Sequence, residues 1–146
     1  MDSMNQFKNG ALRAILLATM TVFLGCATSG MDSGIKITLS GSQEVPPANT
    51  AASGSGTIFV GMEKSVSGSV TTTGVAGVAA HIHVGATGKN GPVIIPLTKT
   101  ADNVWSVPAG AKLTDAQYES YKAGDLYVNV HSATYKGGEI RGQLKP

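Results

Sequence analysis

A chain of 146 residues, 42% hydrophobic and 14% charged, suits one domain built on an apolar core. Eleven Lys and Arg against nine Asp and Glu leave a net charge of +2, which gives no electrostatic reason to expect nucleic acid or an anionic surface as partner. A single cysteine excludes an internal disulfide, so stability has to come from apolar packing, with a bound metal as the one further source.

The N-terminus reads as an export signal. Lys8 and Arg13 precede an apolar run, AILLATMTVFL (14–24), that is too short to span a bilayer as a helix. Gly25 then sets a small residue before Cys26, which resembles a bacterial lipoprotein signal whose cysteine becomes the lipidated first residue. Phe23 and Leu24 depart from the usual pattern. Cleavage after Ala27, with Gly25 and Ala27 as the small pair, is the alternative and would discard the cysteine. Lipidation accounts for an otherwise unexplained exported thiol. The expected organisation is a signal over 1–25, a tether over 26–33 and one domain over 34–146. Loss of residues 1–25 removes Lys8, Arg13 and Asp2, leaving 121 residues with a net charge of +1. The expected address is the cell envelope, at the outer membrane or cell surface, held to the membrane by the N-terminal lipid.

From Gly34 onward, period-two alternation and glycine punctuation predict strands. These are IKITL (35–39), GTIFVG (56–61), SVSGSVTTT (65–73), AAHIHV (79–84), VIIPL (93–97), VWSV (104–107), LYVNVH (126–131) and GEIRGQL (138–144). Pro96 points to an edge strand or a bulge, because proline donates nothing to a ladder. EVPPANT (44–50) is a loop for the same reason. GATGKNGP (85–92) is a turn, with positive φ expected at Asn90-Gly91. One helix is predicted over 115–123. Thr114 and Gln117 form a capping box, Leu113 and Tyr118 have the spacing of a hydrophobic staple, and Gly124 stands where a C-terminal glycine belongs. Seven to nine short strands with frequent turns predict an all-β fold, an antiparallel sandwich or barrel.

Alternation also assigns faces. In LYVNVH, Leu126, Val128 and Val130 oppose Tyr127, Asn129 and His131; in AAHIHV, Ala80, Ile82 and Val84 oppose His81 and His83; in GEIRGQL, Ile140 and Leu144 oppose Glu139, Arg141 and Gln143. All three histidines of the chain therefore fall on polar faces. A His-x-His pair on a strand sets two imidazoles on one side, about 6–7 Å apart at the backbone. A third histidine from a neighbouring strand completes a set suited to copper or zinc. His81, His83 and His131 are the candidate ligands, with Glu139, Tyr127, Asn129, Arg141 and Glu44 as candidate accessory groups. No Gly-x-Ser-x-Gly elbow and no Walker spacing is present.

Three stretches in order, LSGSQEVPPANTAASGSG, AHIHVGATGKNGPVIIPL and AGDLYVNVHSATYKGGEIRGQL, resemble the CHRD domain, a module named from chordin, an extracellular binder of growth factors. The resemblance covers roughly 35–145. It implies an immunoglobulin-like β-sandwich or barrel and a binding role, with no established catalytic activity. The matching positions are Glu44, Pro46, Pro47, His81, His83, Gly91, Pro92, Tyr127, Asn129, His131, Gly138, Glu139, Arg141 and Gly142. Ser132 and Gly137 depart from the threonine and proline common there. The expected function is an exported binding module holding copper or zinc on the histidine face. A small metalloenzyme, superoxide-dismutase-like or oxidase-like, and a metal-free envelope or adhesion module that takes an extracellular protein or glycan are the alternatives. The histidines are too few for a bridged two-metal site.

Overall fold

The computed structural model describes residues 34–146; the expected signal and the whole tether, Cys26 included, lie outside the described residues. The chain runs β1 (Ile35–Ser40), β2 (Ser53–Val60), β3 (Val66–Thr73), β4 (Gly77–Val84), β5 (Val93–Pro96), β6 (Thr98–Ala101), β7 (Val104–Ser106), α1 (Asp115–Lys122), β8 (Leu126–Ser132) and β9 (Ile140–Leu144). All pairings are antiparallel, and the strands lie in one sheet in the order β5-β4-β8-β9-β1-β2-β3-β7-β6. The all-β expectation holds, in its barrel form.

Closure follows from connectivity. β5 and β6 lie at opposite ends of the strand order, yet only Leu97 separates them in sequence. The sheet must therefore curl until its two ends meet within a single residue, in the sense that strand twist favours. Leu97 is buried at this seam and donates its N–H to the Ala80 carbonyl at 2.9 Å. Pro96 sits on an end strand in register with His81, short of the shift between Ile82 and His83, so the edge reading of that proline applies and the bulge falls at Ile94.

The barrel interior is apolar. Ile37, Leu39, Ile58, Val70, Ile82, Val128, Val130, Ile140 and Leu144 form its fully buried centre, with Trp105 and Ile95 packed into the same cluster. These are the positions that alternation assigns to the inner face. The helix also matches expectation: Thr114 accepts from the Gln117 N–H, Gln117 reaches back to the Thr114 N–H, and Gly124 follows with φ +77°.

Two local expectations fail. β6, TKTA, was not foreseen, because all four residues are exposed and show no alternation. In the 85–92 turn the positive φ belongs to Gly88, with Lys89 N–H bonded to Ala86 C=O, and not to Asn90-Gly91. Gly91 is glycine for a different reason: a Cβ there would collide with the Val84 carbonyl.

Candidate functional site

The polar face of β4, β8 and β9 is largely covered, with His81, His131 and Gln143 half-buried. Arg141 is 1% exposed, Asn129 and Tyr127 2%, Glu44 4%, and His83 and Glu139 7%. Three segments roof this face: the 42–50 loop after β1, the 85–92 turn after β4, and the 133–139 connection between β8 and β9. β1 and β9 pair at Ser40 and Arg141, which brings the first of these loops over β9. The molecule thus carries a second, polar buried layer outside its apolar barrel.

Arg141 is the strut of this layer. Its guanidinium donates to the carbonyls of Ala86 (3.2 Å) and Lys89 (2.9 Å), to Gln143 Oε1 (3.2 Å) and to Asn90 Oδ1 (3.4 Å). Gln143 completes the support by donating to the carbonyls of Gly85 and Gly124, and Asn90 donates onward to the Val45 carbonyl. Such charge-assisted bonds to carbonyls satisfy a buried cation without a carboxylate partner. The guanidinium also lies 3.4 Å over the Tyr127 ring, and Tyr127 stacks in turn on His83, with centroids 4.7 Å apart and planes within 6°. Arg141 and Tyr127 therefore hold the His83 ring in place.

His81, His83 and His131 come together as alternation predicted. β4 and β8 pair so that His81 lies opposite Asn129, His83 opposite Tyr127, and Ala79 opposite His131. One ring nitrogen from each histidine lies within 4.8 Å of the others. His83 Nδ1 is 2.9 Å from the Gly91 carbonyl, and His131 Nδ1 is 2.9 Å from the Lys136 carbonyl. A carbonyl only accepts, so both Nδ1 atoms carry the proton and both Nε2 atoms present lone pairs. The His131 Nε2 lone pair meets His81 Nδ1 at 3.0 Å, so that nitrogen donates its proton. His83 Nε2 is buried and has no partner.

Burial is the main cause that lowers the pKa of both His81 and His83. For His81 the neighbouring His131 and His83 add to it; for His83 the Gly91 carbonyl and Asn129 pull the other way. The pair is thereby held in the neutral form in which imidazole binds metals. Burial likewise raises the Glu44 carboxyl, against the opposing effects of the Val45 backbone, Arg141 and Asn129.

Of the accessory candidates, Tyr127, Asn129, Arg141 and Glu44 belong to the connected layer around the histidines. Glu139 is buried but engaged elsewhere, accepting from Thr50 Oγ1 at 2.8 Å and so pinning the first roof loop. Glu44 is not a simple loop residue: it lines two clefts of about 410 and 330 Å³ on either side of the 45–47 segment. Neither cleft is lined by a histidine. The groups missed in the sequence are the Gly91 and Lys136 carbonyls, which fix two tautomers. Backbone oxygens carry no residue-type signal. Asn90 bridges the turn to the first loop, a role hidden behind its turn propensity.

The sequence profile of the CHRD domain family matches residues 35–144, which spans all nine strands. No curated protein and no solved structure matches the chain.

Proposed function

Because the chain belongs to the CHRD domain family, we propose that it acts as an exported, lipid-anchored binding module whose working part is a copper(II) or zinc(II) ion held by His81, His83 and His131. One observation carries this reading: two of the three rings give Nδ1–H to a backbone carbonyl, leaving Nε2 as the lone-pair nitrogen, and one ring nitrogen from each histidine lies within 4.8 Å of the others. Orientation by an outer partner of this kind is the usual companion of a metal-ligating histidine. Zinc–nitrogen bonds of about 2.0–2.1 Å require donor nitrogens roughly 3.3 Å apart. The His81 Nδ1–His131 Nε2 pair is at 3.0 Å, and the wider spacings close by small ring rotations. His81 would join the set either by shifting its single ring proton from Nδ1 to Nε2, so that Nδ1 ligates, or by turning its ring to present Nε2.

Calorimetric titration of the full chain with copper(II) and zinc(II) tests the site. One ion per chain is expected, with at least a hundredfold loss of affinity in the combined His81→Ala, His83→Ala, His131→Ala variant. Equal, weak uptake by both proteins overturns the reading. The membrane anchor rests on residues 14–26, where a short apolar run precedes the lone cysteine. Cell fractionation of Cys26→Ser is expected to move the protein out of the membrane fraction, and unchanged membrane association overturns the anchor.

A further inference from the structure

Three side-chain atoms on the outer face of the barrel are buried without a hydrogen-bond partner: His83 Nε2, Asn129 Oδ1 and Glu44 Oε1. They belong to residues in contact with one another. A native protein leaves only a few such atoms, and seldom side by side, because an unpartnered polar group loses its water and gains nothing in return. Three in one place point to something that the polypeptide alone does not supply.

The orientation of Asn129 is determined. Its Nδ2 faces the Gly137 carbonyl at 3.5 Å, and a carbonyl only accepts. Nδ2 also lies toward the Glu44 carboxyl, since a Cβ at Gly138 would meet Glu44 Oε1 and Asn129 Nδ2 together. The opposite end, Oδ1, is left for the histidines. Asn129 Oδ1 itself is buried and has no hydrogen-bond partner. Since His83 Nδ1–H is given to Gly91, His83 Nε2 and Asn129 Oδ1 are both buried lone-pair carriers that no proton donor reaches. His81 is the register partner of Asn129, so both project from the same face of adjacent strands. Lone pairs converging from nitrogen and oxygen are what a cation requires.

We propose that Asn129 Oδ1 is a fourth donor at the histidine site, and that Glu44 is the residue that positions it. The assignment rests on the metal reading above and gives it a donor set of three imidazoles and one amide oxygen. Gly138 provides the cradle. It has φ +133°, and a Cβ there would collide with Glu44 Oε1 and crowd Asn129 Nδ2, so only glycine lets the carboxyl reach the amide. The chain thus runs from a loop carboxyl to an amide to the ion, as carboxylates behind metal-bound histidines do. An oxygen in the set favours zinc(II) and copper(II) over copper(I), which prefers softer sulfur donors.

The test uses the full chain with zinc calorimetry and copper(II) electron paramagnetic resonance. Asn129→Leu is expected to keep one ion through the histidines, to bind zinc about 10–100-fold more weakly, and to show altered copper hyperfine splitting. Asn129→Asp, which retains an oxygen donor and adds charge, is expected to bind at least as tightly as wild type. Glu44→Gln is expected to weaken binding about tenfold with the stoichiometry unchanged. A wild-type copper spectrum and zinc affinity in Asn129→Leu overturn the assignment. Should that variant fail to fold, Asn129→Asp decides: weaker binding than wild type overturns it. A wild-type chain that takes up no metal overturns the histidine reading and this assignment together. Loss of metal in the triple histidine variant, with Asn129 substitutions silent, overturns this assignment alone.

Discussion

β8 presents two buried faces that are held by different physics. Leu126, Val128 and Val130 point into the barrel and pack against Ile82, Ile140 and Leu39, where burial of apolar area suffices and no particular partner is required. Tyr127, Asn129 and His131 point the other way into a layer where nearly every group is held by a named donor or acceptor. An apolar side is satisfied by any close neighbour, whereas a polar side is satisfied only by geometry. The outer layer is nonetheless where three of the four unpartnered buried atoms among the described residues lie. The fourth, Trp105 Nε1, belongs to β7, and nothing in the structure explains it. The two sides of this strand thus differ: apolar packing is complete on one, and unpartnered buried atoms gather on the other.

The largest expected effect breaks the comparison into its two halves. Leu39→Ala empties a fully buried interior position and should cost about 2–5 kcal/mol of stability, read from the urea midpoint, while zinc affinity of the folded protein stays as in wild type. Arg141→Leu keeps bulk but removes the charged donor shared by the Ala86 and Lys89 carbonyls, at about 1.5–3 kcal/mol. That change should also weaken zinc, because the released turn carries the Gly91 carbonyl that orients His83. Equal zinc affinity in both variants would erase the distinction between the faces.

A smaller effect comes from pH. Burial holds the folded-state pKa of His81 and His83 below 6.5, so the metal-free folded chain binds fewer protons than the unfolded chain between 6.5 and those lowered values. Stability contributed by the two rings is full above pH 6.5 and is lost as pH falls through that window, by at most about 1.4 kcal/mol per pH unit for each ring and by less for the more exposed His81. Glu44 has the opposite sign. Its raised pKa makes its contribution full below 4.5 and lost as pH rises toward the raised value. Urea midpoints between pH 5 and 8 should show an acid-side slope that flattens in His81→Ala combined with His83→Ala. No comparable slope is expected from the barrel interior, whose innermost residues cannot titrate. An acid slope unchanged by the double substitution would place its origin elsewhere.

The helix and most strands could be read from the chain because their causes are local. A capping box needs residues three apart, and alternation needs residues two apart. The same alternation placed His81, His83 and His131 on one side of their strands. Strand β6 escaped because an exposed TKTA segment buries nothing and so has no pattern to show. The turn at 85–92 was read from the propensity of Asn-Gly, but the close approach of Gly91 to Val84 imposed a different reason for that glycine.

Sequence alone determined which side chains share a face, and with that the identity of the histidine set. Only the tertiary structure decided that this face is buried, that Arg141 spans it, and that two backbone carbonyls aim the rings. The physical reason is range. Period-two order is a property of neighbouring residues, whereas the roof over β4, β8 and β9 depends on which distant strands pair. Putting β1 beside β9 and β9 beside β8 brings Glu44 over Asn129 across more than half of the chain.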